Sequence, residues 1–105
     1  MKIYISKLEY GGNGQPDYEE YYVFNERGEG YKILIISDDE LTYEAIDIQK
    51  VNFRDVAVHD LIEVKDVDPE FMNRLERMLK LWESLSNEVS DVISKLNTLI
   101  EIKSK

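Results

Sequence analysis

The large apolar residues Phe71, Leu75, Met78, Trp82, Leu85, Val89, Val92, Leu96 and Leu99 recur at alternating spacings of four and three. This is the a/d repeat of a coiled-coil seam, and it constrains the chain more than any other feature. Met72, Leu79, Ile93 and Ile100 fall at e positions and widen the stripe. The start is marked by Asp68, whose carboxylate can accept from first-turn N–H groups, and by Pro69, which sits where a missing N–H costs nothing. Val67 and Met72 occupy the positions of a hydrophobic staple. Glu70 with Arg74, and Glu76 with Lys80, are carboxylate-first pairs four apart.

Ser84, Ser86, Asn87 and Ser90 could mark the bend of a helical hairpin, but the heptad phase continues through them without Gly or Pro. One long helix is therefore expected. Over residues 69–102 it would span about 50 Å, against roughly 28 Å for a compact domain built from the preceding residues. Such a domain cannot cover the stripe, so the nine seam residues are expected to form an oligomer interface. A homodimer is the first expectation and a tetramer the second.

Residues 1–67 read as a small acidic β domain. Residues 2–9, 20–25 and 31–37 carry strand-like alternation, and Glu26-Arg27-Gly28-Glu29-Gly30 joins the second and third as a hairpin turn. Residues 42–48 fit either a strand or, through the Ser37-x-x-Glu40 capping box, a helix; the β-favouring Thr, Tyr and Ile favour the strand. Residues 51–58 and 61–65 read as further short strands. The fold class expected is α+β: an antiparallel meander or small barrel over 1–67, then one long amphipathic helix over 68–105.

The 105 residues carry a net charge of −9, of which residues 1–67 hold −8 from fifteen acidic and seven basic side chains. That surface repels nucleic-acid phosphates and anionic membranes and favours basic partners. The densest acidic cluster, Asp38, Asp39, Glu40, Glu44 and Asp47, is the expected docking surface for a basic protein. The absence of cysteine excludes disulfides, thiolate nucleophiles and cysteine-held metals. The N-terminus is too short and too polar for a signal peptide, and a cytoplasmic protein is expected. Scarce Gln and Cys resemble heat-adapted proteins, which suits a thermophilic microbe or a virus of one.

No motif identifies a reaction. Gly11-Gly12-Asn13-Gly14 lacks the P-loop ending and leads into a strand, so it reads as a hairpin connection. His59 is the only histidine, and Asp60 beside it points the other way in an extended segment, so no local relay is encoded. Pro16-Asp17 with Glu63-Val64-Lys65 resembles the two carboxylates and lysine that bind Mg²⁺ in many nucleases, but in a short match that an acidic chain meets by chance. Tyr4, Tyr10, Tyr18, Tyr21, Tyr22, Tyr31 and Tyr43 suit a small core or a protein-contact surface. The expectation is a non-catalytic adaptor without cofactor or metal. The alternatives are an acidic inhibitor that mimics nucleic acid, such as a viral anti-defence protein, and a small metal-dependent nuclease.

Overall fold

The computed structural model describes the backbone of residues 1–12, 15–37, 43–80 and 85–104, and within these the side chains of 1–9, 18–35, 47–78 and 91–102. Five strands form one antiparallel sheet: β1 (Ile3–Gly12), β2 (Gln15–Phe24), β3 (Glu29–Ser37), β4 (Tyr43–Asn52) and β5 (Ile62–Val64). Their order is β4-β3-β2-β1-β5. The first four make a meander of hairpins, and β5 returns to the far edge of β1 with Ile3 opposite Val64 and Ile5 opposite Ile62. The sheet is thus open and does not close into a barrel. Residues 42–48 resolve in favour of the strand from Tyr43 onward. In β4 the register slips between Asp47 and Ala45, leaving Ile46 as the extra residue of a bulge. Such a bulge, with Asp47 and Lys50 alongside, blunts an edge strand against unwanted pairing.

The C-terminal third corrects the expectation of one long helix. It forms α1 (Pro69–Lys80) and α2 (Leu85–Ser104), twelve and twenty residues long. The physical reason is the sheet. Ile3, Ile5, Tyr21, Val23, Tyr31, Ile33, Ile35 and Val64 line one face, and that face needs a cover. Phe71, Met72, Leu75 and Met78 from α1, with Val92, Ile93 and Leu96 from α2, close over it as a single buried cluster. The heptad phase carries on because both helices turn their apolar stripes toward the same sheet. Two separate helices over one sheet remove the 50 Å projection that called for a second copy to cover the stripe.

Local chemistry fixes where α1 begins. The Asp68 carboxylate accepts from the Glu70 N–H at 3.0 Å, and the Phe71 N–H donates to the Asp68 carbonyl at 2.9 Å. Val67 and Met72, the staple pair, are both buried. On the outer face Glu70 and Arg74 do not form the i,i+4 pair expected, and the Lys80 side chain expected to pair with Glu76 lies outside the described residues. Glu70 takes Arg77 at 2.7 Å, and Arg74 reaches across to Asp91 of α2 at 3.2 Å. Glu76 accepts from the Tyr31 hydroxyl and faces Lys50 at 3.7 Å, tying α1 to β3 and β4. Among the described residues no helix is long and apolar enough to cross a membrane.

Since β4 and β5 lie at opposite edges, the chain between them must cross the sheet. It does so over the face opposite the helices, beginning with a 3-10 turn at Phe53–Asp55. Val58 is buried there with Tyr22 and Phe24, and Val56, Leu61, Tyr4, Leu8 and Val51 pack around them. The Ser6 hydroxyl donates to the His59 carbonyl at 3.0 Å and pins the crossing to β1. Residues 51–58, expected as a strand, are thus the end of β4 followed by this turn and crossing.

Candidate functional site

Among the described side chains, the sequence-predicted residues are not brought together at one site. Asp38, Asp39 and Glu40 lie outside the described residues. Glu44 is on β4 with its side chain also outside that set, and Asp47 is half-buried on the same strand. Of the seam, Phe71, Leu75, Met78, Val92 and Leu96 are buried inside the chain's own core, with Leu99 packed partly buried against it. Trp82 lies outside the described residues, as do the side chains of Leu85 and Val89. Glu63 of β5 is held by Lys2 at 3.1 Å, a pairing that also raises the lysine pKa. Lys65 and His59 are exposed, and the Asp17 side chain falls outside the described set. Among the described residues no three His, Cys, Asp or Glu side chains are grouped to hold a metal ion.

One polar cluster is partly enclosed between the sheet and α2. Glu9 and Glu19 are direct cross-strand partners on β1 and β2, a like-charge pairing that is unfavourable unless bridged. Lys7 bridges it, with its ammonium 3.1 Å from Glu9 and 4.0 Å from Glu19. The same ammonium donates to Asn97 Oδ1 at 3.1 Å, and the Tyr21 hydroxyl lies 2.9 Å from that oxygen. Every member is satisfied by another, so the cluster works as a latch that seats α2 on β1 and β2.

A different constellation faces outward, where the β2–β3 turn meets the 3-10 turn. Asn25 Oδ1 accepts from the Arg27 and Glu29 N–H groups at 2.9 and 3.1 Å, closing the hairpin. Gly28 takes φ +80°, in the left-handed region, and its carbonyl accepts from the Phe53 N–H at 2.7 Å. Two turns are thereby fastened together. A Cβ at Gly28 would come within 3.3 Å of the Phe53 Cβ, so glycine also permits the close approach.

The result is a groove in two parts. A hollow of about 360 Å³ is lined by Tyr4, Phe24, Phe53, Leu61 and the turn residues 25–28. A second of about 280 Å³ lies between Arg27, Gly28, Glu29, Asn52, Phe53 and Arg54. Phe53 forms the ridge between them and is 42% exposed, although its ring meets Phe24 edge-on with centroids 5.5 Å apart. Arg27 lines both hollows with it, and Arg54 lines the smaller one. Among the described residues neither arginine has a carboxylate partner, whereas Arg74 and Arg77 each hold one. Glu26, on the rim, lies 3.8 Å from Lys2.

Sequence reasoning passed over Phe53, Arg27 and Arg54. A signal was present: the apolar positions are odd at Val51 and Phe53 but even at Val56 and Val58, a change of parity that breaks a strand and can strand an aromatic outside. No family model matches the chain, and no significant similarity to a curated protein or a solved structure is found.

Proposed function

We propose that the chain is a non-catalytic protein-binding module whose contact surface is the groove around Phe53. The observation that carries this reading is the exposed Phe53, which shares its hollows with two arginines that have no carboxylate partner among the described residues, on fastened turns. Aromatic residues and arginine dominate the energetic centres of protein interfaces, and rigid presentation lowers the ordering cost of binding.

Exchange of Phe53 for serine separates contact from fold. A ring retained for stability would cost several kcal/mol on removal, whereas a half-exposed one should cost about 1–2 kcal/mol. The variant should keep its fold by circular dichroism and lose the partner that the native chain retains in affinity capture from its own cell. Retention of the same partner by the folded Phe53→Ser chain would contradict the proposal.

A further inference from the structure

Arg27 and Arg54, without carboxylate partners among the described residues, indicate what the groove holds. We propose that its occupant is a short protein segment presenting one or two carboxylates beside a large apolar side chain. This rests on the groove being the contact surface, and it adds the chemistry of the partner.

Supply and demand of charge point to an acidic occupant. The chain has 22 acidic residues against 13 basic ones, so a guanidinium has no shortage of carboxylates nearby. Arg74 and Arg77 have taken theirs, while Arg27 and Arg54, lining one hollow, have none among the described residues. Guanidinium groups pair best with carboxylates through two parallel hydrogen bonds, a geometry that two neighbouring arginines can offer to an incoming acid. Beside them, the larger hollow is walled by Tyr4, Phe24, Phe53 and Leu61. Its volume of about 360 Å³ is near the lower end of the range for ligand pockets, roughly 300–1,000 Å³. It therefore suits an apolar side chain of a peptide better than an extended cofactor.

Charge also sets an upper limit on acidity. The groove rim carries Glu26 and Glu29, and the whole chain bears −9. A polyanion such as nucleic acid would meet that field along its length. A segment with one or two acids meets it only over about 8 Å at physiological salt, a range within which Arg27 and Arg54 line the smaller hollow together with the single acid Glu29.

The test uses a displayed library of random heptapeptides, selected on the native chain and in parallel on the Arg27→Ser/Arg54→Ser and Phe53→Ser chains, all three checked for fold by circular dichroism. A synthetic peptide from the enriched set, and its copy with amides in place of carboxylates, are then titrated by fluorescence anisotropy. The expected enrichment is an Asp or Glu next to a large apolar residue, absent from selections on both variants. Loss of each arginine, or of the peptide carboxylate, should weaken binding about five- to tenfold. Enriched peptides without acids that still require Phe53, or amide copies that bind equally well, would overturn the acidic occupant and leave the groove standing. Peptides that bind all three chains alike, or no enrichment on any, would overturn both.

Discussion

Replacing Leu96 by alanine separates an internal core from a seam shared between copies. Leu96 is fully buried, and it joins Phe71, Leu75, Met78, Val92 and Ile93 over the sheet within one chain. Truncating a buried leucine to alanine costs about 2–5 kcal/mol, from lost burial and the cavity left behind. A domain of this size has about 5–15 kcal/mol of stability in all, so the variant should fold but with much of its margin gone. At roughly 4 °C per kcal/mol the melting temperature should drop by about 8–20 °C. Urea denaturation followed by circular dichroism measures the change, run at protein concentrations from micromolar to submillimolar. The neighbours of Leu96 belong to its own chain, so the midpoint should not move with concentration in either the native or the variant protein. A midpoint that climbs with concentration in the native protein, together with a loss below about 1 kcal/mol for Leu96→Ala at low concentration, would refute the reasoning and return the residue to a seam between copies.

Backbone crowding, a helix cap and a buried phenol each set an expected outcome. A Cβ at Gly30 would lie 1.8 Å from the Val23 carbonyl oxygen and 2.8 Å from the Phe24 Cα, so Gly30→Ala should cost more than about 2 kcal/mol; Gly28→Ala, strained only by its positive φ and a side-chain contact, should cost about 1–2 kcal/mol, and thermal melts rank the two. Asp68→Ala removes the cap on the Glu70 N–H and should cost about 1 kcal/mol, read as a lower urea midpoint. Burial first, then the hydrogen bond to Glu76, raises the Tyr31 pKa above its ordinary value of 10.0. Folding therefore favours the protonated phenol, and the stability it contributes is present below pH 10 and lost as pH rises toward the folded pKa. Absorbance at the phenolate band should show a tyrosine that ionises only as the chain unfolds in alkali, and Tyr31→Phe should remove that step; a Tyr31 that titrates freely in the folded chain contradicts it.

Parts of this fold were written plainly in the sequence. Glu26-Arg27-Gly28-Glu29-Gly30 announces a tight hairpin because positive φ is most easily met by glycine, and Gly28 adopts it. Asp68, Pro69 and the Val67–Met72 staple fix the start of α1 through bonds made within a few residues. The break between α1 and α2 was not legible, because an apolar stripe has the same period whether a sheet or another helix covers it. Only the sheet face displayed by Ile3, Ile33 and Ile35 distinguishes the two, and that face exists only after long-range pairing. The outer-face ion pairs show the same limit: Arg74 is expected to meet Glu70 one turn away but reaches Asp91 of α2, while Glu70 takes Arg77. The groove was hidden for a related reason. Phe53 looked like one more strand residue, and its exposure follows from a crossing segment whose path is set by β4 and β5 lying at opposite edges.

The central functional claim is that a protein partner sits on Phe53. A photo-crosslinking residue, p-benzoylphenylalanine, placed at position 53 in the full chain tests it most directly, with the same residue at the exposed Asp66 as the control. Irradiated in its own cell, the protein labelled at 53 should form one adduct of defined mass, and the adduct should vanish when Arg27 and Arg54 are changed to serine. Absence of an adduct from position 53, or an equal adduct from position 66, would contradict the account.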